Sequence, residues 1–314
     1  MAHVTETPAA TPASPGSTAA GPAIDGAGPR RLREAGNYLA FVPFLAYVGL
    51  FLIVPTLIVA TGSVTSTQGG FTLEYVSRLF TDETFVSAFI KSIQLAVSTA
   101  ILGAVLGGLL AWAVARGDPN GQLRQVVVAA SGVLAQFGGV MLAFAFLATF
   151  AGTGLVTLFF KNVLHVPVPY DSTWLFGLTG LVVVYAYFQI PLMLIVFLPS
   201  LDGLRQEWYD ASASLGGSTW AFWRHVGGPI LAPSFLGALL LLFTNAFSAY
   251  ATAAALVSQG SPIITLQISN QLQSEVVLGQ ENVGKALALG MIVVVSLVMF
   301  AYALIQRRAS RWVR

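Results

Sequence analysis

Asp210–Pro233 reads DASASLGGSTWAFWRHVGGPILAP, and it separates two long apolar stretches. A run of small residues, a Gly-Gly break and a second, aromatic and weakly basic segment interrupt an otherwise hydrophobic chain. Of the 314 residues, 56% are hydrophobic and 9% are charged, where a soluble domain carries about 25% charged residues. The mean hydropathy is +0.77. That composition belongs to a protein dissolved in lipid, so the length divides better into spans of about 20 residues than into soluble domains. A formal charge of +2 is too small to suggest nucleic-acid binding. The absence of cysteine excludes disulfides and thiolate metal sites. His3, His165 and His225 are scattered, so no metal site is expected.

The expected fold is an all-α integral membrane protein of about six transmembrane helices. Residues 1–36 open with a Pro-, Ala-, Thr-, Ser- and Gly-rich stretch without apolar period, which predicts a disordered cytoplasmic tail. It lacks the basic start and apolar run of a secretory signal, so it is expected to be retained. The membrane domain is 37–314, with spans at about 38–64, 87–114, 125–160, 175–198, 229–257 and 283–305. Pro43, Pro55 and Pro191 fall inside spans, where neighbouring helices satisfy the freed carbonyls. The third span is long and dotted with glycine, and reads as broken or as ending in a separate short helix.

Basic residues set the orientation. With both termini inside, the inner loops hold Arg30, Arg31, Arg33, Arg116, Arg124, Arg205, Arg224, Arg307, Arg308, Arg311 and Arg314. The outer side holds Arg78, Lys91, Lys161 and Lys285. Eleven against four predicts N-in and C-in, and puts the loop at about 199–228 on the cytoplasmic side. In it, GLRQEWYDASASLG (203–216) predicts a short helix whose surface is kept low by Ala211, Ser212 and Ala213. Gly216 and Gly217 end it, and Ser218 or Thr219 caps a second segment with Trp220, Phe222, Trp223 and Arg224. Pro229 suits the first turn of the fifth span. These residues describe either a knob that another protein grips or an ordinary connecting loop.

The segment resembles the "EAA" loop of permease subunits in binding-protein-dependent ABC importers. Asp210-Ala211-Ser212 stands for Glu-Ala-Ala, Gly216 follows after three residues, and Val226-Gly227-Gly228-Pro229 follows after nine more, for Ile-x-Leu-Pro. Asp replaces Glu, Ser replaces the second Ala, Val replaces Ile and Gly replaces Leu. The resemblance covers about 37–314. Through VYAYFQIPLMLIVFLPSLDGL, WRHVGGPILAPSFLGALLLLFTNAFSAYATA and NVGKALALGMIVVVSLVMFAYALIQRR, the chain is similar to the spermidine/putrescine branch, with its phosphonate, opine, iron and thiamine relatives. A permease for sugars or inorganic anions is the alternative.

The resemblance implies a type I importer bundle in a bacterial inner membrane. It implies two copies of an ABC ATP-binding subunit, a second permease (another chain or a second copy) and an external substrate-binding protein. Asp210, Ala211, Ser212, Gly216 and Pro229 would then form the docking helix and its bends. Arg205, Glu207 and Arg224 would be rim contacts or, equally, a solvated loop. ATP and Mg would belong to the partner, because no G-x-x-x-x-G-K-[ST] loop occurs in this sequence, and no cofactor is expected in this chain.

Polar residues within spans are the candidates for a translocation path: Gln94, Gln136, Gln189, Asn245, Ser248 and Tyr250. A helix–helix hydrogen bond is the other role open to each. A cationic polyamine would be expected to meet carboxylates along its way, but the apolar spans contain none; the outer-side acids are Glu74, Asp82, Glu83, Asp171, Glu275 and Glu281. Residues 258–282 read as a short helix, a re-entrant piece or plain loop. Lys91 and Lys285, near span ends, can reach the interface. A self-sufficient secondary transporter would be expected to carry ionisable groups at mid-span, and an intramembrane enzyme a catalytic constellation there; the sequence offers neither.

Overall fold

A computed structural model of the chain describes residues 41–66, 69–167, 173–257, 263–273 and 280–309. The expected tail 1–36 with its arginines, the carboxylates Asp171 and Glu275, and the terminal Arg311 and Arg314 lie outside these residues, as do 258–262 and 274–279. Among the described residues the structure is helical, with an isolated antiparallel bridge between Thr65 and Phe71 and no strand.

The helices are α1 (Phe41–Gly62), α2 (Glu74–Thr81), α3 (Glu83–Ala115), α4 (Gln122–Gln136), α5 (Gly139–Phe150) and α6 (Leu155–Asn162). They continue with α7 (Leu178–Asp202), α8 (Gln206–Ser214), α9 (Thr219–Ser248), α10 (Ala251–Leu256), α11 (Ile264–Gln273) and α12 (Gln280–Ala309). Six stretches are long and apolar enough to cross a membrane: α1, α3, Gly139–Asn162, α7, α9 and Glu281–Leu304 of α12.

The chain divides into a unit ending at Pro55 and a unit from Thr56 onward. In the first, the described residues are helical and apolar, with the rings of Tyr47 and Phe51 one turn apart at 5.0 Å. The second is built on α3, α7 and α9. The α3–α7 contact is the most extensive in the fold, with α9 on α3 and α4 on α7 next. Its closeness has a local cause. Gly103 and Gly107, four residues apart on α3, face α7: a Cβ on Gly107 would lie 2.4 Å from the Ile190 carbonyl oxygen and 2.6 Å from Met193 Cβ. Small residues at this spacing let two backbones meet in a medium where lipid tails remove the hydrophobic drive between helices. Pro191 is buried within α7 next to that contact.

The third span, expected to be broken or to end in a separate short helix, is both. It consists of α4, α5 and α6, broken first at Gly138, which is extended, and Gly139, whose φ is +70°, and again at 151–154. Glycine permits that left-handed turn, whereas a residue with a Cβ is strained there. In the fifth span Pro229 does lie in the first turn of the α-helical stretch Gly228–Ser248, but that stretch continues an earlier one and ends at Ser248, short of the expected 257. α9 starts at Thr219 and runs through Pro229 to Ser248, because a wide turn at Trp223–Gly227, closed by the Gly228 N–H on the Trp223 carbonyl, carries the helix past the missing proline N–H. The same turn explains glycine at 228, where a Cβ would sit 2.5 Å from the Trp223 oxygen.

Charged residues sort by end. α12 begins beside the outer loops, with Lys285 paired to Glu281 at 3.8 Å and the Asn282 amide donating to the Thr65 carbonyl at 3.1 Å. Its far end meets α9 near that helix's start, where the Tyr302 hydroxyl donates to the Pro233 carbonyl. Arg116 and Arg205 share a cleft at this second end, and Arg124 pairs with Asp202 at 2.5 Å. Arginines assigned to the inner loops thus gather at the α8 end of the bundle.

Candidate functional site

α8 buries none of its nine residues. A helix that short does not hold itself together in water, so its order comes from its ends and one brace. Beyond its C-terminus the Gly216 N–H donates to the Ala213 carbonyl and the Gly217 N–H to the Ser212 carbonyl, both at 2.9 Å. With φ +80° at Gly216, this is a Schellman motif: the two bonds satisfy carbonyls that the helix end would otherwise leave free. The brace is Tyr209. Its hydroxyl shares a hydrogen bond with Thr219 Oγ1 at 3.1 Å, and its ring meets Phe222 edge-on at 5.3 Å. Ser218 caps the next helix by accepting from the Ala221 N–H. The segment is therefore a pre-shaped hairpin, anchored through buried Phe222 and open to solvent on its outer side.

Asp210 and Ala211 are exposed and Ser212 is half-buried. Asp210 accepts from the Gln206 side-chain amide at 3.2 Å within the helix. Arg205 and Glu207 approach only to 4.0 Å and are 70% and 82% exposed, a solvated pair of little energetic weight. Arg224 lies exposed on the wide turn, and Pro229 is exposed inside α9. The sequence reading passed over the most conspicuous group on the knob. Leu215, just before the glycine pair, is 90% exposed, and Trp208 and Trp220 are exposed near it. A leucine between Ser214 and Gly216, in a polar stretch, was the available signal.

The six path candidates part ways. Gln189 is fully buried, and its amide donates to the Leu242 carbonyl at 2.8 Å, so it ties α7 to α9. Tyr250 shares a hydrogen bond with Ser269 of α11 at 2.9 Å. Gln94 is exposed in an open cleft of about 600 Å³ with Glu83, Ser87 and Lys91. Gln136 is exposed at the end of α4, beside the break. Asn245 and Ser248 are exposed on one face of α9, opposite buried Leu242, Phe243, Ala246 and Phe247. The α9–α10 break at Ala249 is held by Tyr185, whose hydroxyl donates to the Ala249 carbonyl at 3.1 Å. In the outer loop, 264–273 forms helix α11. Its first residues are buried and the Ile264 N–H donates to Ser92 Oγ of α3 at 2.8 Å.

This bundle, with six membrane-capable stretches and a helical hairpin between the fourth and fifth, has the fold of ABC importer permeases. One chain of a bacterial ABC transporter that imports the acidic polysaccharide alginate matches 89% of this chain and 97% of its own length, with a TM-score of 0.69 and 16% identity. The same transporter in complex with an alginate pentasaccharide-bound periplasmic protein gives a TM-score of 0.69 at 15% identity, over 89% of this chain and 96% of that one. A chain of the MetNI methionine ABC transporter in an inward-facing conformation matches with a TM-score of 0.50 and 16% identity, over 73% of this chain and 99% of that one. In sequence, 128 residues are 25% identical to the "Probable starch degradation products transport system permease protein AmyD" of Thermoanaerobacterium thermosulfurigenes. That match spans 40% of this chain and 44% of the relative. No protein-family model matches the chain. None of these relatives is of the spermidine/putrescine type.

Proposed function

We propose that the chain is a permease subunit of an ATP-driven ABC importer in a bacterial cell membrane, with both termini and α8 on the cytoplasmic side. The observation that carries this is the α8 hairpin. It is held in shape by its own end bonds, buries none of its helix residues, and presents Leu215 almost bare. A rigid knob with an apolar tip transmits force only when another protein grips it. The partner is an ATP-binding subunit, two copies per complex, because this chain lacks a phosphate loop. A second permease, another chain or a second copy, completes the path. An external binding protein delivers the substrate, a role supported by the complex of the alginate transporter with a pentasaccharide-bound periplasmic protein.

For the substrate we favour a sugar or oligosaccharide over a polyamine. Of the relatives named above, the sequence match is a probable permease for starch degradation products, and the alginate importer matches with a higher TM-score than the methionine transporter. Among the described residues, carboxylates of the membrane-crossing helices stand only at helix ends, at Glu83, Asp202 and Glu281. The exposed polar groups farther in, Gln94 and Asn245, are neutral, and the exposed charge near Gln94 is the cation Lys91. Amides suit a polyhydroxylated solute, whereas a polycation needs negative charge along its way.

Leu215→Asp tests the docking role, because it places a charge where an apolar contact is expected while touching nothing in the bundle. Tagged wild-type chain is expected to bring down an ATP-binding subunit from its native membranes. The variant is expected to lose at least about tenfold of it, the loss that about 1.4 kcal/mol of contact energy implies. Equal recovery by both chains would contradict the proposal.

A further inference from the structure

A cleft of about 380 Å³ opens between the ends of α3 and α7, α8 and the start of α9. Trp112, Tyr209 and Trp223 line it together with Arg116, Arg205 and Thr219, and no carboxylate is among its lining residues. Arg116 lies over the Trp112 ring, its Cζ 3.9 Å from the centroid. That stacking fixes the guanidinium plane and turns its N–H edge sideways. The weak, solvated contact of Arg205 with Glu207 leaves most of its charge available. The cleft is therefore a doubly cationic, aromatic-walled pocket at the end of membrane-crossing helices. Leu109 and Val105 lead from it into the membrane: they precede Trp112 by three and seven residues on α3, share its face and are exposed.

We propose that this cleft binds the phosphate headgroup of an anionic membrane lipid, with one acyl chain lying along the Leu109 and Val105 face. Paired guanidinium donors match a phosphate diester's charge and oxygens. Basic pockets between helices on the cytoplasmic side meet the anionic leaflet. The apolar track distinguishes a lipid from a free anion. A bound headgroup would bridge α3 to Arg205 at the entry of α8 and so brace the knob. The inference rests on the membrane placement proposed above and not on transport.

Native mass spectrometry of the full chain in detergent tests it, with phosphatidylglycerol, phosphatidylcholine of the same acyl chains, and inorganic phosphate as probes. The expected result is retention of phosphatidylglycerol over phosphatidylcholine by about thirty-fold, the preference two surface arginines supply, undisturbed by millimolar phosphate. The Arg116→Gln/Arg205→Gln variant is expected to bind both lipids alike. Should that variant not fold by circular dichroism, Arg116→Gln alone is expected to cut the preference about five-fold. Equal retention of the two lipids by the wild-type chain would overturn the proposal. So would an unchanged preference in the folded variant, or displacement by inorganic phosphate. The measurement needs no nucleotide or ATPase, so its failure would leave the transport proposal standing, and loss of ATPase capture would leave this one standing.

Discussion

Gly107→Val is expected to abolish recovery of the folded chain. The new Cβ would stand 2.4 Å from the Ile190 carbonyl oxygen and 2.6 Å from Met193 Cβ, separations that real Cβ atoms do not show. One obstacle is backbone, so no rotamer change relieves it, and α3 and α7 must move apart along the contact that organises the second unit. Overpacking costs about 1–3 kcal/mol even where side chains can adjust, and this site belongs at the top of that range. Size-exclusion of detergent extracts should show the monodisperse peak lost or strongly reduced. Gly108→Ala is the control one residue along, because its Cβ would meet only side-chain ends, the Phe235 ring edge at 3.4 Å and Met193 Cε at 3.8 Å. A normal profile for Gly107→Val would mean that the α3–α7 contact is not the one described.

Gly216→Val is expected to act in the opposite way, sparing the fold and removing function. Nothing lies within 4 Å of a Cβ at that position, so no clash spreads into the bundle. The penalty is in the backbone: φ is +80°, and an L-residue pays about 1–2 kcal/mol in the left-handed region, a β-branched one more. The Schellman bonds then compete with a frayed α8, and the docking-competent hairpin falls about 5–30-fold in population. Membrane insertion and extraction should match wild type, while ATP-dependent uptake and ATPase capture fall together. Gly216→Asn should retain much of both, since asparagine tolerates the left-handed region better than other side chains. Wild-type uptake by Gly216→Val would remove the knob from the mechanism.

Much of this was legible in the chain itself. The number of membrane-capable stretches follows from composition and hydropathy, and the arginine bias matches the gathering of Arg116, Arg124 and Arg205 at one end. The short helix before Gly216 was readable because a small-residue run, then two glycines, is a local signal. What failed to read was set by contacts distant in sequence or by turns without a signature. Gly103 and Gly107 are visible as a pair, but their partner surface near Pro191 on α7 is not. The Gly-Gly-Pro run at 227–229 reads as the start of a span, yet the wide turn at Trp223 joins that start to the helix before it. Gln189 and Asn245 give the same signal, a polar residue in an apolar span; only packing sends one into a bond with Leu242 and leaves the other exposed. Leu215 stood out in the sequence as a lone leucine before the glycine pair, but the degree of its exposure emerged only with the hairpin's geometry.

The most direct test of the central claim uses a feature of the sequence: the chain has no cysteine, so Ala211→Cys creates a single thiol on the exposed face of α8. With a membrane-impermeant maleimide, intact cells should leave it unlabelled and opened membranes should label it. A short bifunctional cross-linker should join it to an ATP-binding subunit. Labelling in intact cells, or uptake-competent membranes in which no such cross-link forms, would contradict the account.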